Sequence, residues 1–215
     1  MGHIDFRRCT AEAGDSKEEI FMNLKKGMST KTIATGAILT AIVIVVQCLA
    51  TYTAFFGPFS TAIALIPIAI GAAMCGPLVG AWLGFVFGIV VIATGGAALF
   101  FEFSIVGTIV TVLSKGTLCG FLAGIVYKLL KNRNLTVAAI ASALITPLVN
   151  TGVFLLGSAI FFLPKADMIA EKIGLGVSGM DVFIAVAGMN FIFELGMCIV
   201  LSPVIVRLLN IKNKA

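Results

Sequence analysis

Three strongly polar side chains, Lys115, Asn150 and Glu194, each stand near the middle of a different long apolar stretch. A lysine and a carboxylate can neutralise each other or hold a ligand group of opposite charge, and an asparagine amide can bond to either. If the stretches are membrane helices, each residue lies about twelve positions from the outward-facing end, roughly 18 Å, and the three share one depth near the bilayer midplane. An ionised group there costs at least about 3 kcal/mol unless it is paired or wet, so such residues face a bundle interior or a ligand path. Asn190, one helical turn outward of Glu194 on the same face, extends the polar stripe toward the outside. Thr146 is one turn inward of Asn150, and Thr108 and Thr111 stand one to two turns outward of Lys115. Three chemistries fit these residues. Lys115 and Glu194 form a salt bridge that only fixes helix packing, or Lys115 attracts an acidic ligand group, or the pair opens to a ligand carrying both charges.

The elements that must position these groups follow from composition. The chain has 215 residues, 60% hydrophobic and 12% charged, with mean hydropathy +1.12. A soluble domain of this size needs far more polar surface. The expected fold is therefore all-α: a polytopic membrane protein, a compact bundle of six transmembrane helices in the lipid bilayer. Net charge is +5, but most basic residues flank apolar segments. That pattern reads as topology signal and headgroup contact, so no nucleic-acid partner is expected. The five cysteines show no CxxC spacing, and Cys48, Cys75, Cys119 and Cys198 fall in apolar runs as small hydrophobes. The one histidine, His3, lies in a polar tail, which argues against a metal site or a Ser/His or Cys/His catalytic arrangement in the membrane. No catalytic residue and no cofactor is expected.

Residues 1–32 are polar and mixed in charge and read as a cytoplasmic N-terminal segment. Met22 and Met28 are alternative starts, and much of 1–21 reads as a leader or an added sequence. The membrane domain spans 33–210, with segments at 33–54, 59–75, 77–94, 104–130, 135–162 and 182–208. The second and third are short and meet at Gly76-Pro77 as a hairpin. Lys25, Lys26 and Lys31 precede the first segment, Lys128, Lys131 and Arg133 follow the fourth, and Arg207, Lys212 and Lys214 close the chain. Connections 51–60 and 95–103 carry no Lys or Arg, and 163–181 carries Lys165 and Lys172 alone. The positive-inside rule then puts both termini in the cytoplasm. Asn134-Leu135-Thr136 matches a glycosylation sequon on that side and reads as accidental. The outward connections are aromatic and glycine-rich: Tyr52, Phe55, Phe56 and Phe59, then Phe100, Phe101 and Glu102, then a loop of about eighteen residues. They fit either a lid over a pocket or an interfacial aromatic belt, a belt to which Trp82 and Tyr127 also belong.

Glycines recur every four residues at Gly76, Gly80, Gly84 and Gly88, and again at Gly116, Gly120 and Gly124. Such a stripe lets a neighbouring backbone approach closely, most simply inside the bundle. Ala37 and Ala41 form a small-xxx-small pair at the cytoplasmic end of the first segment, a further packing or docking position.

These features together resemble the substrate-binding S components of energy-coupling factor (ECF) vitamin transporters, over about residues 31–210. The resemblance rests on Thr32 to Ala41 with its AxxxA signature, on Ala64-Leu65-Ile66-Pro67-Ile68 followed by Gly76-Pro77-Leu78-Val79-Gly80-Ala81, and on Lys115-Gly116 followed by Gly120 to Tyr127. It implies six helices, a ligand pocket near the outer face, and localisation in a bacterial plasma membrane. It also implies dependence on a shared ECF transmembrane subunit and two cytoplasmic ATPase subunits, with Ala37 and Ala41 facing the transmembrane subunit. The ligand would be a water-soluble vitamin or related metabolite. No P-loop is present for ATP. The expected ligand-binding residues are Lys115, Asn150, Asn190, Glu194, Phe56 and Glu102. One Lys opposite one Glu, with Asn and Thr donors and several Phe nearby, suits a small, partly apolar molecule bearing a carboxylate; pantothenate is the first choice, and riboflavin, niacin, another vitamin or a different small metabolite stay open. The competing expectation is a non-transporting membrane scaffold or sensor braced by a Lys115–Glu194 pair. An intramembrane enzyme is disfavoured by the absence of histidines and of paired acidic residues in the segments.

Overall fold

Apolar runs punctuated by Gly, Pro, Ser and Asn set the helix order. The computed structural model describes residues 30–52 and 59–214. Its helices are α1 Thr30–Tyr52, α2 Phe59–Cys75, α3 Pro77–Ala93, α4 Ala98–Phe101, α5 Ile105–Leu130, α6 Leu135–Phe161, α7 Ala166–Ile173 and α8 Met180–Lys214, with no strand among the described residues. From Thr35 onward the chain forms one contact unit, and every contact below lies within it. Helices α1, α5, α6 and α8 carry apolar stretches long enough to cross a membrane, and α2 and α3 are shorter apolar helices.

Polarity is inverted relative to a water-soluble fold. Glu194 is 0% exposed and Asn150 and Gln47 are 2% exposed, whereas Val200 is 70% and Val106 68% exposed. Lipid solvates such an apolar exterior, and the interior then gathers the polar groups. The chain is a polytopic helical membrane protein.

Local chemistry explains the boundaries. Ser104 caps α5 by accepting a hydrogen bond from the Gly107 amide at 3.2 Å. Asn134 caps α6 by accepting from the amides of Thr136 at 2.9 Å and Val137 at 3.3 Å. The asparagine of the apparent sequon is thus a helix cap, its side chain satisfying two otherwise orphaned donors. Between α2 and α3 stands Gly76 alone, at φ 96°, with Pro77 beginning the next helix. Only glycine takes that backbone conformation without strain.

The glycine stripes pack against each other, as their spacing suggests. A Cβ added at Gly80 or Gly84 would overlap the backbone carbonyl of Gly120 or Gly116 respectively, and one at Gly124 would lie 2.6 Å from the Cα of Pro77. Helices α3 and α5 therefore cross antiparallel, backbone against backbone. Above and below that crossing, Leu39, Val43, Leu65, Ile68, Leu83, Phe87 and Val112 form the main apolar core. Helix α5 packs in turn on α6, where the Ser142 hydroxyl donates to the Ala123 carbonyl at 3.0 Å. Helix α6 packs on α8, and α2 touches α3, α5, α6 and α8.

Three expectations need correction. Tyr127 is 8% exposed and packs with Ala73, Ala138, Ala139 and Ala143, so it belongs to the interior and not to an aromatic belt. Trp82, 55% exposed, does sit on the exterior. The long third connection is not an open loop: it contains α7, whose Ala166, Ile169 and Ala170 lie on one face and pack against Phe162, Val182 and Phe183. Apolar residues at that i, i+3, i+4 spacing make a helical face. Helix α8 runs to Lys214, beyond the expected end at 208, because nothing between Pro203 and Lys214 breaks it.

Candidate functional site

Asn150 on α6 and Glu194 on α8 meet in the bundle interior. The Asn150 Nδ2 donates to Glu194 Oε1 at 3.1 Å and lies 3.3 Å from Oε2. Asn190, one turn outward on α8, also donates its Nδ2 to Glu194 Oε1. A carboxylate that accepts amide donors keeps its charge at lower cost in an apolar interior. The chain thus invests two amides in one acid.

Lys115 on α5 behaves differently. Among the described residues it forms no ion pair with Glu194, so the direct Lys115–Glu194 bridge expected as a structural brace is not formed. The charged groups still act on each other through space. The Lys115 Nζ instead lies over the Phe154 ring, 5.6 Å from its centroid. Phe154 is one turn outward of Asn150 on α6, so α6 presents an amide and then an aromatic face along one stripe. A cation over an aromatic ring gains about 0.5–2 kcal/mol, the larger value where water is excluded. That falls short of what a carboxylate or phosphate partner supplies.

Phe154 begins an aromatic column. Its ring meets Phe100 of α4 edge-on at 5.6 Å, and Phe100 meets Phe162 at 5.2 Å. Phe100 and Phe162 belong to the cluster that joins α4, α7 and the start of α8. The second and third connections are therefore one packed cap. Two polar links close it: the exposed Lys172–Glu102 ion pair, and the Lys165 ammonium donating to the Phe103 carbonyl. The Gly179 amide donates to Asp167 at 3.2 Å and folds the end of the third connection onto α7. An open cleft of about 600 Å³ lies in the cap between Glu102, Phe103, Lys165, Met168, Glu171 and Lys172.

Of the six expected ligand residues, the structure brings Asn150, Asn190 and Glu194 into one hydrogen-bonded group, with Lys115 beside it on Phe154. Glu102 stands apart, in the cap. Phe56 lies outside the described residues. Ala37 and Ala41 are both exposed on α1, while Leu39, Val43, Gln47 and Ala50 of the same helix face inward. Two interior residues escaped the sequence reading. Phe154 was detectable from its four-residue offset from Asn150. Gln47 looked like an isolated polar residue in an apolar run, the same signal that singled out Asn150.

A family model described as "ECF transporter, substrate-specific component" matches residues 31–209. The chain belongs to that family. No curated protein and no solved structure matches it significantly. As an S component, it is a substrate-binding transporter subunit and not an enzyme, embedded in a membrane. Its class takes up vitamins or other small metabolites and works with the partners of an ECF module.

Proposed function

We propose that this S component captures a small carboxylate-bearing vitamin or related metabolite, with Lys115 as its anion-binding residue and pantothenate as the first compound to test. One observation carries the reading. Glu194 is supplied with amide donors, while Lys115 has an aromatic face where a carboxylate would bind far better. Asn150, Asn190 and Glu194 form the floor of the site, and Glu102 and Phe56 contribute from the outer connections. The basic flanks at Lys25, Lys31, Lys128, Arg133 and Arg207 support a bacterial plasma-membrane protein with both termini cytoplasmic, so that ligand arrives from outside under the cap.

Uptake then requires a shared ECF transmembrane subunit and two cytoplasmic ATPase subunits. The exposed Ala37 and Ala41 support docking of the transmembrane subunit on the outer face of α1, since small side chains let a second helix approach closely. Calorimetry on the purified protein in detergent tests the ligand reading. Pantothenate should bind, and Lys115→Ala should weaken it by at least about two orders of magnitude, the loss expected when a buried charge-assisted bond is removed. Unchanged affinity in Lys115→Ala removes Lys115 from the site. Mass spectrometry of small molecules carried through purification identifies the natural ligand directly.

A further inference from the structure

Two buried amide side chains in the interior use their donor ends and leave their acceptor ends open. Asn150 is 2% exposed. Its Nδ2 faces the Glu194 carboxylate, which can only accept, so the orientation of the amide is dictated by its partner. The Asn150 Oδ1 is buried and has no hydrogen-bond partner among the described residues. Gln47 on α1 is also 2% exposed, and its Oε1 is in the same state.

The orientation of Gln47 follows from a short network. The Thr94 hydroxyl donates to the Val90 carbonyl at 2.7 Å, so its oxygen is left to accept. The Thr51 hydroxyl lies 3.0 Å from Thr94 Oγ1 and 3.1 Å from the Gln47 carbonyl, and its single proton goes to one of these. Toward the Gln47 side chain, Thr51 therefore accepts, from Nε2 at 3.3 Å. Both amides are thus turned so that a carbonyl oxygen, and not an NH2 group, is offered to the interior. The two residues approach the same core: Val43, one turn from Gln47, and Val149, next to Asn150, belong to one apolar cluster.

An unmet buried acceptor costs about 1–3 kcal/mol, and two bordering one apolar cluster call for an explanation. We propose that Gln47 Oε1 and Asn150 Oδ1 are specificity acceptors of the ligand site, so the captured molecule carries at least two hydrogen-bond donors, hydroxyl or amide N–H, besides the anionic group held by Lys115. This rests on the carboxylate reading above and narrows it to hydroxy or amido acids. Simple fatty or aromatic acids leave both carbonyls unpaired. Sites built to meet polar groups reject analogues that lack them by orders of magnitude, because the protein's own buried groups then go unsatisfied.

The test is binding of two acids of similar length to the full chain in detergent: pantothenate, which carries two hydroxyls and an amide N–H, and octanoate, which carries none. The wild type should bind pantothenate at least about a hundredfold more tightly than octanoate. Gln47→Leu, which removes the acceptor at nearly constant volume, should lose about tenfold or more for pantothenate, leave octanoate unchanged, and melt at or above the wild-type temperature in the absence of ligand. Equal binding of the two acids, or a Gln47→Leu protein with wild-type affinity for pantothenate, overturns the donor requirement while leaving Lys115 as an anion site. Binding of neither acid overturns the carboxylate reading together with this inference. If Gln47→Leu instead melts well below wild type, the amide is a structural brace and not a ligand contact; Gln47→Met gives a second apolar replacement on which the same outcomes are read.

Discussion

Consider Gly84→Ala at the crossing of α3 and α5. The added Cβ would fall on the Gly116 carbonyl oxygen, far inside the 3.0 Å below which real Cβ contacts essentially never occur. The obstacle is backbone and not a side chain that can rotate away, so the two helices must separate by about an ångström, enough to forfeit a quarter to a half of each dispersion contact they share. Overpacking of this kind costs about 1–3 kcal/mol. Alanine's better helix propensity returns about 1 kcal/mol, which leaves a net loss of up to about 2 kcal/mol. For a chain of this length that lowers the apparent Tm by up to about 8 °C, and by about 2–12 °C relative to a glycine-to-alanine change that meets no obstacle. Cys119 and Cys198 are 0% and 1% exposed, so a thiol-reactive fluorophore reports unfolding in detergent once Cys9, Cys48 and Cys75 are changed to serine. Gly196→Ala is the control: it is an exposed helical glycine whose added Cβ meets nothing within 4 Å, and it should melt at or slightly above wild type. Adding Gly116→Ala to Gly84→Ala should cost less than the sum of the two, because one separation relieves both overlaps. If Gly84→Ala melts with Gly196→Ala, the backbones do not meet there and the glycine stripes have another purpose.

Glu194→Leu should lower the apparent Tm more than Lys115→Leu does, because it strips the acceptor from the Asn150 and Asn190 amides, at about 1–3 kcal/mol per stranded donor, whereas Lys115 gives up a ring contact. Equal melting shifts would make Lys115 as much a part of the fold as Glu194. Ala37→Trp with Ala41→Trp, on the exposed face of α1, should change stability by less than about 0.5 kcal/mol and yet abolish co-purification with the ECF subunits. Wild-type recovery of the complex by that double variant would move the docking surface elsewhere.

Element existence was legible because lipid imposes a simple length rule: an apolar run of 17 to 27 residues between polar breaks is a helix wherever water is absent. Five of the six expected segments begin and end within three residues of the observed helices, and the sixth differs only in its C-terminal extension. The glycine spacing at Gly80, Gly84, Gly116 and Gly120 was legible for the same reason, since a four-residue stripe has one face and small residues there invite a backbone. Less was readable in the connections. Helix α7 is eight residues long, too short for periodicity to separate it from a loop, and its apolar face is recognisable only beside Phe162 and Phe183.

At the site, residue types along each apolar run were enough to single out which side chains are polar in an apolar surround. Pairing was a tertiary matter. Charge alone matched Lys115 with Glu194, but helix rotation decides which side chains converge, and it turned Asn150 and Asn190 onto the carboxylate and Lys115 onto Phe154. The same rotation buried Tyr127 and Gln47 and exposed Ala37 and Ala41. A helix carries its polar residues at fixed angles around its axis. The fold sets the absolute angle, because it comes from packing against neighbours that lie many residues away in the chain.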